Sequence, residues 1–198
     1  MEKIIFFGLV IPIFLFVLYL GGRAIMTGFS AKSSNKSDAE IELMRHSAKV
    51  ASQAHIQAMA NTKPGVGEWQ LEGIIEGFFK YCKTSGIAYP CIIGSGDNAT
   101  VLHYNVNNDT CDEGEILLID AGCEYKGYAS DITRSWPVDG KFTEAQAEIY
   151  QVVLDSQLAA IDECRVGRPY DAPHEAARRV LAEGLISLGP VSYTHLRA

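Results

Sequence analysis

The sequence predicts an α+β fold, in which helices and strands occupy separate stretches of chain rather than alternating. Three observations carry this reading. Two stretches with helical spacing of apolar residues, 38–60 and 68–83, open the body of the chain. Four short runs rich in β-formers follow, 87–95, 100–104, 115–123 and 127–136, separated by Gly, Asn and Asp. Two further helical stretches, 143–164 and 174–188, close it.

Each element has its own signal. In 38–60 the residues Ile41, Met44, Ala48, Ala51, Ala54 and Ala58 keep one helical stripe, with Val50 and Ile56 off it. Ser37 or Asp38 can cap this helix, and Pro64-Gly65 ends it. The second helix turns Leu71, Ile74, Ile75, Phe78, Phe79 and Cys82 inward, with Gly86 as its C-cap candidate. Residues 100–104 alternate as a strand does, after the Gly94–Asn98 cluster of turn formers. Thr143 and Gln146 form a capping-box pair at the start of the third helix. Pro169 and Pro173 punctuate the link to the fourth.

Ahead of this body stands a different texture. Ile4 to Leu20 is apolar throughout, interrupted only by Gly8 and Pro12, and is a little shorter than the ~20 residues of a spanning helix. It reads as an uncleaved anchor over residues 1–25, because Gly22-Arg23-Ala24 is a poor cleavage site. A cleaved signal peptide and a mis-joined leader are the alternatives. Arg23, Lys32 and Lys36 follow the run before the first acid, Asp38, which points the downstream domain to the cytoplasm. If the leader is mis-joined, the protein is simply cytoplasmic. Residues 26–40 then read as a flexible linker.

A net charge of −7 argues against nucleic-acid binding, whose footprint is basic. The five cysteines are odd in number and form no C-x-x-C pair, so they read as free thiols in a reducing compartment rather than as a zinc or redox motif.

Chemistry concentrates in Ile116–Arg134. Two β-rich runs flank a turn centred between Tyr125 and Lys126, and Asp120 and Asp131 lie equally far from that centre. In an ideal hairpin they would face each other with Cβ atoms ~5 Å apart, where like charges destabilise a sheet. Such a pair needs a shared proton or a cation, and its oxygen donors suit Mn2+-type ions. The alternative is a bulge that shifts the register and leaves one aspartate exposed. His103, on the 100–104 strand, reads as a general acid or oxyanion donor, or else as a structural or surface histidine.

The run Leu118–Pro137, continued by Gly140-Lys-Phe142-Thr143, Gln146 and Ile149-Tyr150, resembles the Xaa-Pro aminopeptidase and prolidase branch of the pita-bread metallopeptidases. Asn98, Leu102-His103-Tyr104 and Asn108 resemble that family's upstream histidine segment. The resemblance spans residues 41–189 and implies the N-terminal half of a pita-bread fold. It implies that Asp120 ligates one metal ion through both oxygens and that Asp131 bridges two. His103 would hydrogen-bond the scissile peptide, and Thr133 would support a ligand. The cofactors would be two divalent ions, Mn2+ first among them, which activate water and polarise the carbonyl. The substrate would be a peptide with proline in second position, cut after its N-terminal residue, and a full-length protein could form homo-oligomers.

The family completes its site with a histidine and two glutamates from its second half. His174, His195, Glu175 and Glu183 lack the Gly-rich and Pro-Gly surroundings of those motifs. Residues 190–198 break the helical pattern and read as an unrelated or artefactual tail. This chain alone is therefore expected to be inactive, and a non-catalytic binding module is the second reading.

Overall fold

The computed structural model describes residues 36–189. Residues 1–25, expected as an anchor, and the tail 190–198 lie outside that range, as does most of the linker. The expected membrane anchoring, with the domain facing the cytoplasm, is corrected. Among the described residues no helix is long and apolar enough to cross a membrane.

The described chain divides into two compact units, one running to Lys141 and one from Phe142. The first unit opens with α1, Asp38–Asn61. Ser37 Oγ accepts the Glu40 N–H and Glu40 Oε2 accepts the Ser37 N–H, so two of the helix's orphan donors are satisfied reciprocally. The buried face is Ser47, Val50, Ala51, Ala54, His55 and Ala58. Val50 thus lies inside, whereas Met44 and Ala48, expected on the inner stripe, are exposed. The small side chains along this face let the helix backbone lie close to what it packs on.

Helix α2, Glu68–Tyr81, begins where Gln70 Oε1 accepts the Gly67 N–H. Leu71, Ile75 and Phe79 are buried as the spacing predicts. Its end differs from expectation. The chain reverses at Lys83, φ 59°, and Gly86 instead opens β1, Gly86–Ile87. Pro90 then breaks the 87–95 run, so that only β2, Ile92–Ser95, continues as a strand. A proline has no N–H for a ladder, which is why one apolar run serves two different sheets.

The expected strand at 100–104 does not form. Gly96–Thr100 is a 3-10 helix, and the chain turns through His103 at φ 56°. Val101 and Leu102 are both exposed. The alternation there had no sheet face to serve, and the turn formers ahead of it governed the backbone instead.

The remaining strands are β3, Ile116–Ala121, β4, Cys123–Tyr125, β5, Tyr128–Ala129, and β6, Ile132–Pro137. They form two antiparallel three-stranded sheets, ordered β1-β4-β5 and β2-β3-β6. The hairpin turns at Lys126 and Gly127, both with positive φ, the two-residue geometry that matches strand twist. The turn centre is therefore one residue later than expected, and Glu124 pairs with Ala129. The ladder is interrupted at Gly122, where a Cβ would stand 1.8 Å from the Ser130 carbonyl oxygen. Only glycine permits that approach.

The core joins α1 and α2 to the strands through Val50, Ala54, Leu71, Ile75, Phe79, Ile93, Leu117 and Ile119. Each large apolar side chain buried there contributes about 1.5–3 kcal/mol. Long-range hydrogen bonds seat α1 on the hairpin, with Ser47 Oγ donating to the Cys123 carbonyl at 2.8 Å and Tyr128 Oη donating to Glu40 at 2.6 Å. The Tyr128 hydroxyl holds the Glu40 carboxyl well below its usual range, at about 2. All five cysteines are free, and Cys91, Cys111 and Cys123 are buried.

The second unit is a helix pair, α3, Glu144–Glu163, and α4, Ala172–Ser187. Thr143 and Gln146 form the reciprocal cap that the sequence predicts. Gly184 lies so close to Val152 that a Cβ would meet its side chain at 2.5 Å, and the glycine sets how near the two helices come.

Candidate metal centre

β3 is buried along nearly its whole length, and Asp120 near its end is 5% exposed. A carboxylate in that position needs a partner, because burial favours its neutral form. The nearest partner is Tyr89, in the connection between β1 and β2. Its Oη lies 2.5 Å from Asp120 Oδ1 and 3.0 Å from Asp131 Oδ1. One hydroxyl therefore spans the two carboxyl groups.

A phenol has one proton, and two carboxylates both ask for it. The deficit is visible in the electrostatics. Burial pushes the Asp120 carboxyl up to about 6, and the neighbouring Asp131 charge pushes the same way, against the Tyr89 and Thr133 hydroxyls. Burial and then the Asp120 charge push the Tyr89 phenol above its ordinary range. The site is thus a partly buried oxygen cluster short of positive charge, which a shared proton or a hard divalent cation can supply.

The expected cross-strand pairing of the two aspartates is corrected by the register. Asp120 stands opposite Thr133, and Ala121 opposite Ile132. Asp131 lies just before β6, beyond the ladder break, and is exposed. The two acids are brought together by Tyr89 and by the kink at Gly122 and Ser130, not by facing positions in a hairpin. Thr133 Oγ1 is buried beside Asp120, near enough to favour the ionised carboxylate but outside hydrogen-bond geometry. Asp131 also borders an open groove between α1 and residues 129–132, lined by Ile41, Met44 and Arg45.

His103 sits on the turn after the 3-10 helix, exposed to solvent, and not on the strands that carry the aspartates. Glu175 and His174 belong to the second unit. Among the described residues no three His, Cys, Asp or Glu side chains gather closely enough to hold a metal ion. Asp120, Asp131 and the Tyr89 oxygen are therefore the donors at hand. Their all-oxygen chemistry fits such an ion, although they do not enclose it.

Comparison with known proteins gives the family of the chain. The model of metallopeptidase family M24 matches residues 42–196. The chain belongs to metallopeptidase family M24. It is 42% identical over 154 residues to the Xaa-Pro aminopeptidase of Escherichia coli, covering 78% of this chain and 35% of that protein. The solved structure of Pseudomonas aeruginosa aminopeptidase PepP superposes with a TM-score of 0.78 at 42% identity, over 79% of this chain and 36% of that one. A zinc-substituted E. coli aminopeptidase P in complex with product gives a TM-score of 0.77 at 41% identity, with the same coverage. This chain thus spans about a third of the length of the relatives it matches. Its α+β architecture is that of the M24 pita-bread fold.

Tyr89 escapes a reading of the sequence by motif. A tyrosine before a proline, in a run taken for one continuous strand, looks like an ordinary β-former. The available signal was Pro90 itself, which has no N–H for a ladder and so marks a break in the run beside Tyr89.

Proposed function

We propose that this chain carries one part of an Xaa-Pro aminopeptidase-type metal centre. In it Asp120 and Asp131 ligate divalent ions, Mn2+ first among them. When bound, such ions supply Lewis acidity and lower the pKa of water. Thr133 steadies Asp120 from the facing strand, and His103 hydrogen-bonds the peptide to be cut. The reaction of the complete centre is release of the N-terminal residue from peptides with proline second. The relatives' names support the reaction class, and the pair of acids held by one tyrosine hydroxyl supports the site. That pair is the observation on which the reading stands, because a purely structural ladder has no use for two carboxylates competing for one proton.

With Asp120 and Asp131 as the carboxylates of the site, Mn2+ binding by this chain is weak and peptide hydrolysis is not expected. The test is Mn2+ titration followed by electron paramagnetic resonance on the wild-type chain, Asp120→Asn and Asp131→Asn. Saturable binding that either substitution abolishes supports the reading. No binding by the wild-type chain at millimolar metal sinks it and leaves the binding-module alternative.

A further inference from the structure

Glu68, the first residue of α2, is completely buried and forms no ion pair among the described residues. Its charge is instead met by four donors. Oε1 accepts the Ser95 backbone N–H at 2.9 Å and the Asn98 side-chain amide at 3.2 Å. Oε2 accepts the Tyr104 hydroxyl at 2.8 Å and the Asp109 backbone N–H at 3.0 Å. Glu68 also donates its own N–H to the Asp109 carbonyl.

The two oxygens divide the chain at one place. Both donors to Oε1 precede His103, and both donors to Oε2 follow it, the nearer being its immediate neighbour Tyr104. Asn98 further donates to the Tyr104 oxygen at 3.1 Å, closing a ring of polar contacts around the base of the turn. His103 itself holds φ 56°, a left-handed conformation uncommon for a non-glycine residue, although histidine enters it more readily than most. The buried Glu68 carboxylate grips both ends of that turn and holds it in this conformation.

We propose that Glu68 is the positioning residue of the His103 turn. Its carboxylate fixes the direction in which the imidazole is presented, as a substrate-facing histidine requires. This rests on the role proposed above for His103. A carboxylate is needed because all four donors point at acceptor lone pairs. A carboxamide at the same place would turn an NH2 group against at least one N–H.

The experiment uses nuclear magnetic resonance and amide hydrogen exchange on the full chain and its Glu68→Gln variant. The Ser95 and Asp109 amides should exchange at least about tenfold faster. The His103 imidazole resonances should move or broaden, while β3 amides keep their protection and Mn2+ titration is unchanged. If His103 resonances stay in place while the Ser95 and Asp109 amides open, Glu68 is a structural anchor only and the proposal falls. If Glu68→Gln does not fold, Tyr104→Phe decides, since it loosens the Oε2 side alone. His103 resonances should then shift with Ser95 protection retained, and unmoved resonances overturn the proposal. Failure of the wild-type chain to bind Mn2+ would count against the metal centre, and the Glu68 result would be read from the exchange and resonance data by themselves.

Discussion

Thr133 stands directly across the antiparallel ladder from Asp120, with its hydroxyl buried near that carboxyl and outside hydrogen-bond geometry. A buried hydroxyl without an acceptor is destabilising by about 1–3 kcal/mol, so it has a use elsewhere or is tolerated for one. Thr133→Val keeps the shape and removes the oxygen. The metal-free chain should unfold at the same urea concentration or a slightly higher one. Mn2+ affinity should fall by roughly tenfold, as for other groups that steady a ligand. A clear loss of metal-free stability with unchanged metal binding would show the hydroxyl to be structural.

Stability without metal should depend on pH through Asp120. Its folded carboxyl is raised to about 6, above the ordinary unfolded value near ~3.9. The folded state therefore holds the proton more tightly. The associated stabilisation is fully present below pH ~4 and is lost as pH rises through about 6, with a ceiling on the order of 3 kcal/mol. His55 acts in the opposite sense. Burial lowers its pKa, so its contribution is present above about pH 6.5 and is lost on acidification. Urea midpoints between pH 4 and 8 in a chelator should lose their Asp120 component in Asp120→Asn. An unchanged profile in that variant would refute the assignment.

Tyr89→Phe removes the one hydroxyl that both aspartates share. At pH 7 the metal-free chain should lose about 1.5–3 kcal/mol, the usual worth of hydrogen bonds to charged groups. The loss should shrink at pH 4.5, where Asp120 carries its own proton, and shrink again on adding Mn2+. Equal losses under all three conditions would point to packing of the ring rather than to its hydroxyl.

Gly122→Ala should be among the most damaging single-methyl additions. The new carbon would meet backbone, the Ser130 carbonyl group, rather than a side chain that can swing away. We expect destabilisation of at least about 3 kcal/mol, at the upper end of overpacking effects, with loss of Mn2+ binding as Asp131 is pushed from Asp120. Denaturant midpoints and metal titration on one preparation check both halves. A stable variant with intact binding would mean that the ladder break is not what joins the two acids.

Much of the fold was legible because helices declare themselves through period, cap and stop. Thr143 with Gln146 and the Leu71–Ile75–Phe79 face are examples. The strands were legible as runs but not as partners. Register depended on whether the tight turn fell at Tyr125-Lys126 or Lys126-Gly127, a difference of one residue that only the backbone angles decide. Pro90 and Gly122 each ended a ladder inside what looked like one strand. In the site, Asp120 and Asp131 stood out by spacing and by resemblance. Tyr89 and Glu68 did not, since a polar residue's importance at a distance depends on which remote atoms the fold brings to it.

The clasp between Glu40 and Tyr128 joins residues 88 apart in the chain. At about 5–20 residues per second, a ribosome needs on the order of 4–18 s to travel that distance. For those seconds the nascent α1 can close on α2 but not on the hairpin that will cover Ser47. Until the hairpin follows, the α1–α2 pair therefore carries a half-open apolar face.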